Sequence, residues 1–163
     1  MGWKDVLTGE LYISNNIYHE YYNVLFNLAV MYFSIGKCEN NGDEAKIKEQ
    51  IKYFQNAAYL FDKIKQEVPS FIPVKDIQPD MSSDYLTYAG YLSLANSQML
   101  IYEIASKKGL AFELQAQLAK GVYELLSLAY NLAKETIKKH ISDEVKAYLN
   151  NRRYYFLASS FLK

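Results

Sequence analysis

The clearest pattern in the chain is a helical one between Asp43 and Val68. Apolar residues recur there at intervals of three and four, which at 3.6 residues per turn places them on one stripe. Charged residues fill the intervening positions, and Glu44 precedes Lys48 in the order that favours an ion pair within a helix. We expect a buried helix at the centre of a helical stack. The stripe consists of Ile47, Ile51, Phe54, Ala58, Phe61 and Ile64.

Four further segments show helical spacing, and most carry a residue suited to begin or end a helix. Asn and Ser side chains accept a backbone N–H at a helix start, and Gly109 suits the left-handed position after a helix end. In the last helix we expect Val145, Leu149, Tyr155 and Phe156 to face inward. The predicted helices are 17–35 after Asn15 or Asn16, a third that runs from Ser82 or Ser83 to about Lys108, 111–139, and 143 onward after Ser142.

Two stretches depart from the helical pattern. Residues 3–7 and 10–14 flank a turn at Thr8-Gly9 and predict a small β-hairpin, which needs the helices for support because two strands alone are not stable. Residues 69–80 hold all three prolines and predict a loop pinned by Phe71, Ile72 and Ile77. The sequence therefore predicts a mainly all-α fold, a tetratricopeptide-like stack of long antiparallel helices with a short N-terminal β-hairpin.

Composition narrows the possible functions. The chain has 163 residues, of which 50% are hydrophobic, with 3 prolines and 7 glycines, as expected for one folded domain. Its 18 basic and 18 acidic residues cancel, so neither nucleic acid nor an anionic membrane surface is an expected partner. The single Cys38 suits a reducing compartment, and no apolar run is long enough to span a bilayer.

Catalytic and metal signatures are absent from the sequence. His19 and His140 have no Glu three residues before them, so the Glu-x-x-His pair of di-iron bundles is missing. There is no Gly-rich phosphate loop and no Gly-x-Ser-x-Gly elbow. We therefore predict no catalytic residue, no metal site and no cofactor.

Five short segments resemble one known family. In their order and spacing they are similar to the Bro domain of the ALIX-type adaptors, which work with the ESCRT machinery, and the similarity extends over almost the whole chain. A complete Bro domain is more than twice this length. The resemblance thus implies that residues 1–163 are a single domain, the central helical core of a larger Bro domain. The segments are Trp3-Lys4-Asp5, 24–29, 53–58 with Phe61, 80–84 and 117–119.

The resemblance also implies a binding site. In the family, an apolar patch with polar neighbours receives the amphipathic C-terminal helix of an ESCRT-III subunit. Carried onto this sequence, the patch is Ile101, Leu114 and Leu118, with Lys48 and Glu44 beside it. Ile101 is aliphatic where the family has an aromatic residue, which changes the shape of the patch. The implied protein is a non-enzymatic cytoplasmic adaptor that associates with endosomes through its partners.

Three alternatives remain open at this point. Leucines and isoleucines at helical spacing are more often core residues than ligand contacts, and Glu44 with Lys48 also fits an ordinary exposed ion pair. The chain could equally be a generic helical-repeat scaffold that binds another peptide. The least supported alternative is a helical-bundle enzyme with an active site of scattered carboxylates.

Overall fold

The computed structural model describes residues 2–39 and 41–161. These residues form a short two-stranded antiparallel sheet followed by five α-helices, with two 3-10 turns in the connection between the second and third helices. The predicted mainly helical fold with an N-terminal hairpin is confirmed. The elements are β1 Gly2–Lys4, β2 Leu11–Ile13, α1 Ile17–Gly36, α2 Glu44–Phe71, α3 Ser83–Lys107, α4 Phe112–Glu135 and α5 Asp143–Ser159, with the 3-10 turns at Val74–Asp76 and Pro79–Met81.

Helix boundaries follow the local capping chemistry. Asn16, Asp43, Ser82 and Ser142 each accept a backbone N–H from two or three residues further on, and such caps stabilise a helix by about 1 kcal/mol. Gly109 follows α3 with a φ of +60°, a conformation that costs a residue with a Cβ more than it costs glycine. The predicted starts after Asn16, Ser82 and Ser142 and the predicted end at Gly109 are confirmed.

Each helix packs most extensively on the helices before and after it in the chain. One core cluster joins α1, α2 and the start of α3 and includes Tyr22, Phe61 and Leu86. The second joins α3, α4 and α5 and includes Leu126 and Phe156. Burying each large side chain contributes roughly 1.5–3 kcal/mol to stability. Helix α3 contributes residues to both clusters and therefore connects the two halves of the stack.

Two helix ends differ from the sequence prediction. Helix α2 continues through Pro69 to Phe71, since Ile72 is buried and its N–H donates to the carbonyl of Val68, which holds the last turn in place. Helix α4 stops at Glu135, short of the predicted 139. The N–H of the buried Ile137 donates to the carbonyl of Leu132, five residues back, instead of continuing the α-helical pattern.

Two predictions about which side chains face inward were wrong. In α5, Leu149 and Phe156 are buried, but Val145 and Tyr155 are exposed. Leu149 and Phe156 are seven residues apart and share the stripe that faces the core, whereas Tyr155 is turned by about 100° from its neighbour Phe156. Periodicity identified the helix correctly, but it assigned too wide a face to the core.

A pair of buried carboxyl groups anchors the hairpin to the rest of the fold. Asp5 is 1% exposed and Asp80 is 2% exposed. Oδ1 of Asp5 accepts the N–H groups of Leu7 and Thr8, both at 2.8 Å, and thereby closes the turn between the strands. Oδ2 of Asp5 accepts the N–H of Asp80 at 3.1 Å, and Oδ2 of Asp80 accepts the N–H of Val6 at 3.0 Å. These reciprocal bonds join the hairpin to the segment that precedes α3.

The two carboxyl groups differ in proton affinity. Burial, followed by the nearby charge of Asp5, raises the pKa of Asp80 to about 7, and no described group donates a hydrogen bond to its Oδ1. Burial also acts to raise the pKa of Asp5, but hydrogen bonds from backbone N–H groups, with that of Thr8 first, outweigh it and lower the pKa. The pair therefore holds one proton below about pH 7, and that proton belongs to Asp80.

We expect the contribution of Asp80 to stability to fall as pH rises from about 4 to about 7. The pKa of Asp80 is higher in the folded protein than its ordinary value of 3.8, so the folded state binds more protons than the unfolded state in that window. The lowered pKa of Asp5 acts only below about pH 4. Urea unfolding measures the free energy of unfolding at each pH. Between pH 4 and pH 7 this free energy should fall by on the order of 2 kcal/mol less in Asp80→Asn than in the wild type.

Asp143→Asn is the control for this experiment, because Asp143 is an exposed aspartate in the first turn of α5. It should retain the wild-type dependence on pH between 4 and 7. Equal slopes for wild type and Asp80→Asn would contradict the assignment of this proton to Asp80.

Candidate protein-binding face

Helix α3 buries two of its sides and leaves two others less covered. Leu86 belongs to the cluster with α1 and α2, and Tyr88 and Ala95 belong to the cluster with α4 and α5. Between these sides runs a stripe with a seven-residue spacing, which keeps residues on one side of a helix. We call this stripe, Leu94, Ile101 and Lys108, the Ile101 face.

The contact between α3 and α4 brings the predicted apolar residues to one level. A Cβ added to Gly121 of α4 would lie 3.3 Å from Nε2 of Gln98 on α3, so these positions face each other. The helices are antiparallel neighbours, so Ile101, three residues after Gln98, lies level with Leu118, three residues before Gly121. Leu114 lies one turn before Leu118 on α4. Leu114 is 41% exposed, and Ile101 and Leu118 are half-buried.

The two predicted polar residues lie at the end of the same face. Oε1 of Glu44 is 2.7 Å from Nζ of Lys48 and 2.8 Å from Nζ of Lys108. Hydrogen bonding to Lys108, then to Lys48, lowers the pKa of Glu44 to about 2. One carboxylate is thus shared by two ammonium groups, so these three side chains together carry one net positive charge.

Sequence reasoning had missed Lys108. Its signal was present, because Lys108 lies seven residues after Ile101 on the same stripe of α3. What the sequence did not contain was the packing of α2 against α3, which brings Glu44 within reach across 64 positions of chain.

A larger cavity, of about 580 Å³, opens on the opposite side of α3. Its charged and aromatic groups largely contact each other. The guanidinium of Arg152 lies 5.8 Å from the ring centre of Tyr155 and 5.5 Å from that of Phe156, and Lys107 pairs with Glu103 at 2.6 Å. None of the five binding residues predicted from sequence lines this cavity.

Two further observations concern the described ranges 2–39 and 41–161. They contain no group of three or more His, Cys, Asp or Glu placed to hold a metal ion. None of their helices combines the length and apolarity that a bilayer crossing requires. The arrangement on the Ile101 face, with half-exposed aliphatic groups beside fixed charges, is of the kind that binds another protein segment.

The protein is therefore a mainly helical stack of antiparallel hairpins, one face of which carries part-exposed apolar residues. The model of the BRO1-like domain family matches residues 1–163, so the chain belongs to this family. The pH-response regulator protein palA/RIM20 of Pyricularia oryzae is 29% identical over 151 residues, and the ALG-2 interacting protein X of Dictyostelium discoideum is 30% identical over 154. Rhophilin-2 of Bos taurus is 29% identical over 150.

These alignments cover 91%, 90% and 85% of this chain in the same order, but only 17%, 19% and 20% of the relatives. The chain therefore corresponds to a small part of each relative.

Family membership and the predicted resemblance are confirmed. None of these findings tests the role of Glu44, Lys48, Ile101, Leu114 or Leu118, which stays a prediction.

We expect Lys108→Met to raise the pKa of Glu44 toward its ordinary value of 4.5. The substitution keeps the apolar stem and removes the ammonium group whose hydrogen bond is the first cause of the lowered pKa. An NMR pH titration of the Glu44 side-chain carboxyl carbon measures this shift. Lys107→Met is the matched control, since Lys107 pairs with Glu103 instead. An unchanged Glu44 titration in Lys108→Met would show that the two helices are not joined by this contact.

Proposed function

We propose that this chain is a non-enzymatic adaptor module that binds the amphipathic C-terminal helix of an ESCRT-III subunit. The observation that carries the proposal is the level placement of Ile101 and Leu118 across the α3–α4 hairpin, with Leu114 one turn beyond. These side chains remain accessible although they are apolar and lie on helices. Membership of the BRO1-like family and similarity to an ALG-2 interacting protein X support a role in recruitment.

The shape of this face suits a helix as the ligand. Apolar residues at i, i+3, i+4 and i+7 of an amphipathic helix form one stripe, and such a stripe can lie along Ile101 and the two leucines. Each large side chain buried there yields roughly 1.5–3 kcal/mol before the costs of binding. We expect a dissociation constant in about the micromolar range.

Charge at the end of the face orients the ligand. Lys48 and Lys108 share one carboxylate, that of Glu44, so an acidic residue of the bound helix meets a net positive site there. Contacts of this kind contribute more to orientation and association rate than to affinity. The side chain of Ile101 offers a smaller contact surface than an aromatic ring would, which favours aliphatic side chains in the partner.

The cellular setting follows from the same proposal. A chain that binds an ESCRT-III tail acts in the cytoplasm, in endosomal sorting or membrane remodelling, and reaches the endosome through its partners. The competing proposal is a helical scaffold for a different peptide. Binding of an unrelated amphipathic helix with equal affinity would favour that alternative.

We expect Leu114→Asp and Leu118→Asp each to weaken binding of an ESCRT-III C-terminal helix peptide by about tenfold or more, because a buried, unpaired carboxylate replaces an apolar contact. Isothermal titration calorimetry with the 163-residue chain measures the effect. Leu114 is exposed, so at this position the fold should tolerate the change, and circular dichroism checks this for both variants.

Phe112→Asp is the matched control. Phe112 is more exposed than Leu114 and lies on the same helix, but two residues of helix turn it about 200° away. It should bind as the wild type does. Undiminished binding by both leucine variants would remove the proposed site, and a wild-type chain that does not bind the peptide would remove the proposed partner.

A further inference from the structure

The Ile101 face continues along α3 to a glycine that the protein's own packing does not explain. A Cβ built on Gly90 would meet no atom of the described residues within 4 Å. Glycine inside a helix costs roughly 0.5–1 kcal/mol relative to alanine. At Gly36, by contrast, a Cβ would lie 3.0 Å from the ring of Phe54, so that glycine makes room for a neighbour in the same chain.

Gly90 lies on the same side of the helix as the apolar patch. It precedes Ile101 by eleven positions, and at about 100° per residue this separation returns to within roughly 20° of the same direction. The rise of about 1.5 Å per residue places the two about 16 Å apart along α3. Leu94 lies between them on this side and is 40% exposed.

A shallow recess of about 130 Å³ opens at Gly90. Its charged residues neutralise each other, since Nζ of Lys65 is 2.8 Å from Oδ1 of Asp62. This end of the face is therefore apolar and neutral, whereas the end at Lys48 and Lys108 carries net positive charge. The residues that line the recess include Ala58, Asp62, Lys65, Gly90, Tyr91 and Leu94.

We infer that the bound helix extends along α3 as far as Gly90 and seats a further apolar side chain in this recess. The inference rests on the proposed function. Because the recess is about three turns from Ile101, the ligand must be a helix of about four turns or more with apolar residues at positions i and i+11. Its acidic residues belong at the end near Lys48 and Lys108. The missing Cβ at Gly90 lets the ligand backbone approach α3 closely.

The test uses two peptides of equal length. One is the ESCRT-III C-terminal helix peptide with an apolar residue at i+11, and the other carries Ser at that position. We expect the wild-type chain to bind the Ser peptide about tenfold more weakly, and Gly90→Leu, which fills the recess, to bind both peptides equally and at the weaker level. Gly90→Ala should have a smaller effect in the same direction.

Ser106→Leu places the same side chain on the opposite side of α3, where Ser106 lines the larger cavity, and should bind both peptides as the wild type does. Thermal melting of Gly90→Leu should show no loss of stability, because the position is open.

Two results would overturn the inference. One is a wild-type chain that does not distinguish the two peptides, an outcome independent of how the variant folds. The other is a folded Gly90→Leu chain that binds with wild-type affinity. If Leu118→Asp still abolishes binding in either case, the proposed function stands and only the extension to Gly90 fails. Absence of binding to both peptides by the wild type contradicts the proposed function itself.

Discussion

The structure depends on α3 being packed from two sides at once. Ser93, Ala95 and Ser97 are fully or almost fully buried, and their small side chains allow α2 and α4 to approach the backbone of α3 closely. A helix that packs against neighbours on two sides leaves its remaining sides less covered, and one of these is the candidate binding face. The positions of Ile101 and Gly90 on that face are thus consequences of how the core is built.

The N-terminal hairpin belongs to the same plan through a different interaction. Its two strands are three residues each, too short to be stable alone. The Asp5–Asp80 pair joins them to the segment that leads into α3, and the ring of Trp3 stacks on that of His19 of α1 at 5.4 Å. Two buried carboxyl groups, each of which accepts a backbone N–H from the other segment, therefore link the hairpin to the connection between α2 and α3.

The binding face combines local and long-range effects. Leu114 and Leu118 are one turn apart on a single helix, so their common side follows from periodicity alone. Ile101 joins them only through the register of the α3–α4 hairpin, in which Gln98 lies opposite Gly121. The charged end depends on an ion pair between α2 and α3. A ligand that reads the whole face would therefore be sensitive to the packing between helices.

The sequence by itself determined the number, order and most boundaries of the helices, because capping by Asn16, Ser82 and Ser142 and the left-handed turn at Gly109 depend only on nearby residues. Its resemblance to the Bro domain also identified the candidate binding residues. In α5 the tertiary structure alone decided which side of the helix is buried. Val145 is exposed although it lies four residues before the buried Leu149 and fits the same stripe. Lys108 reaches Glu44 from a distant part of the chain. In both cases periodicity constrains the angle between side chains on one helix but not the direction in which the neighbouring helix lies.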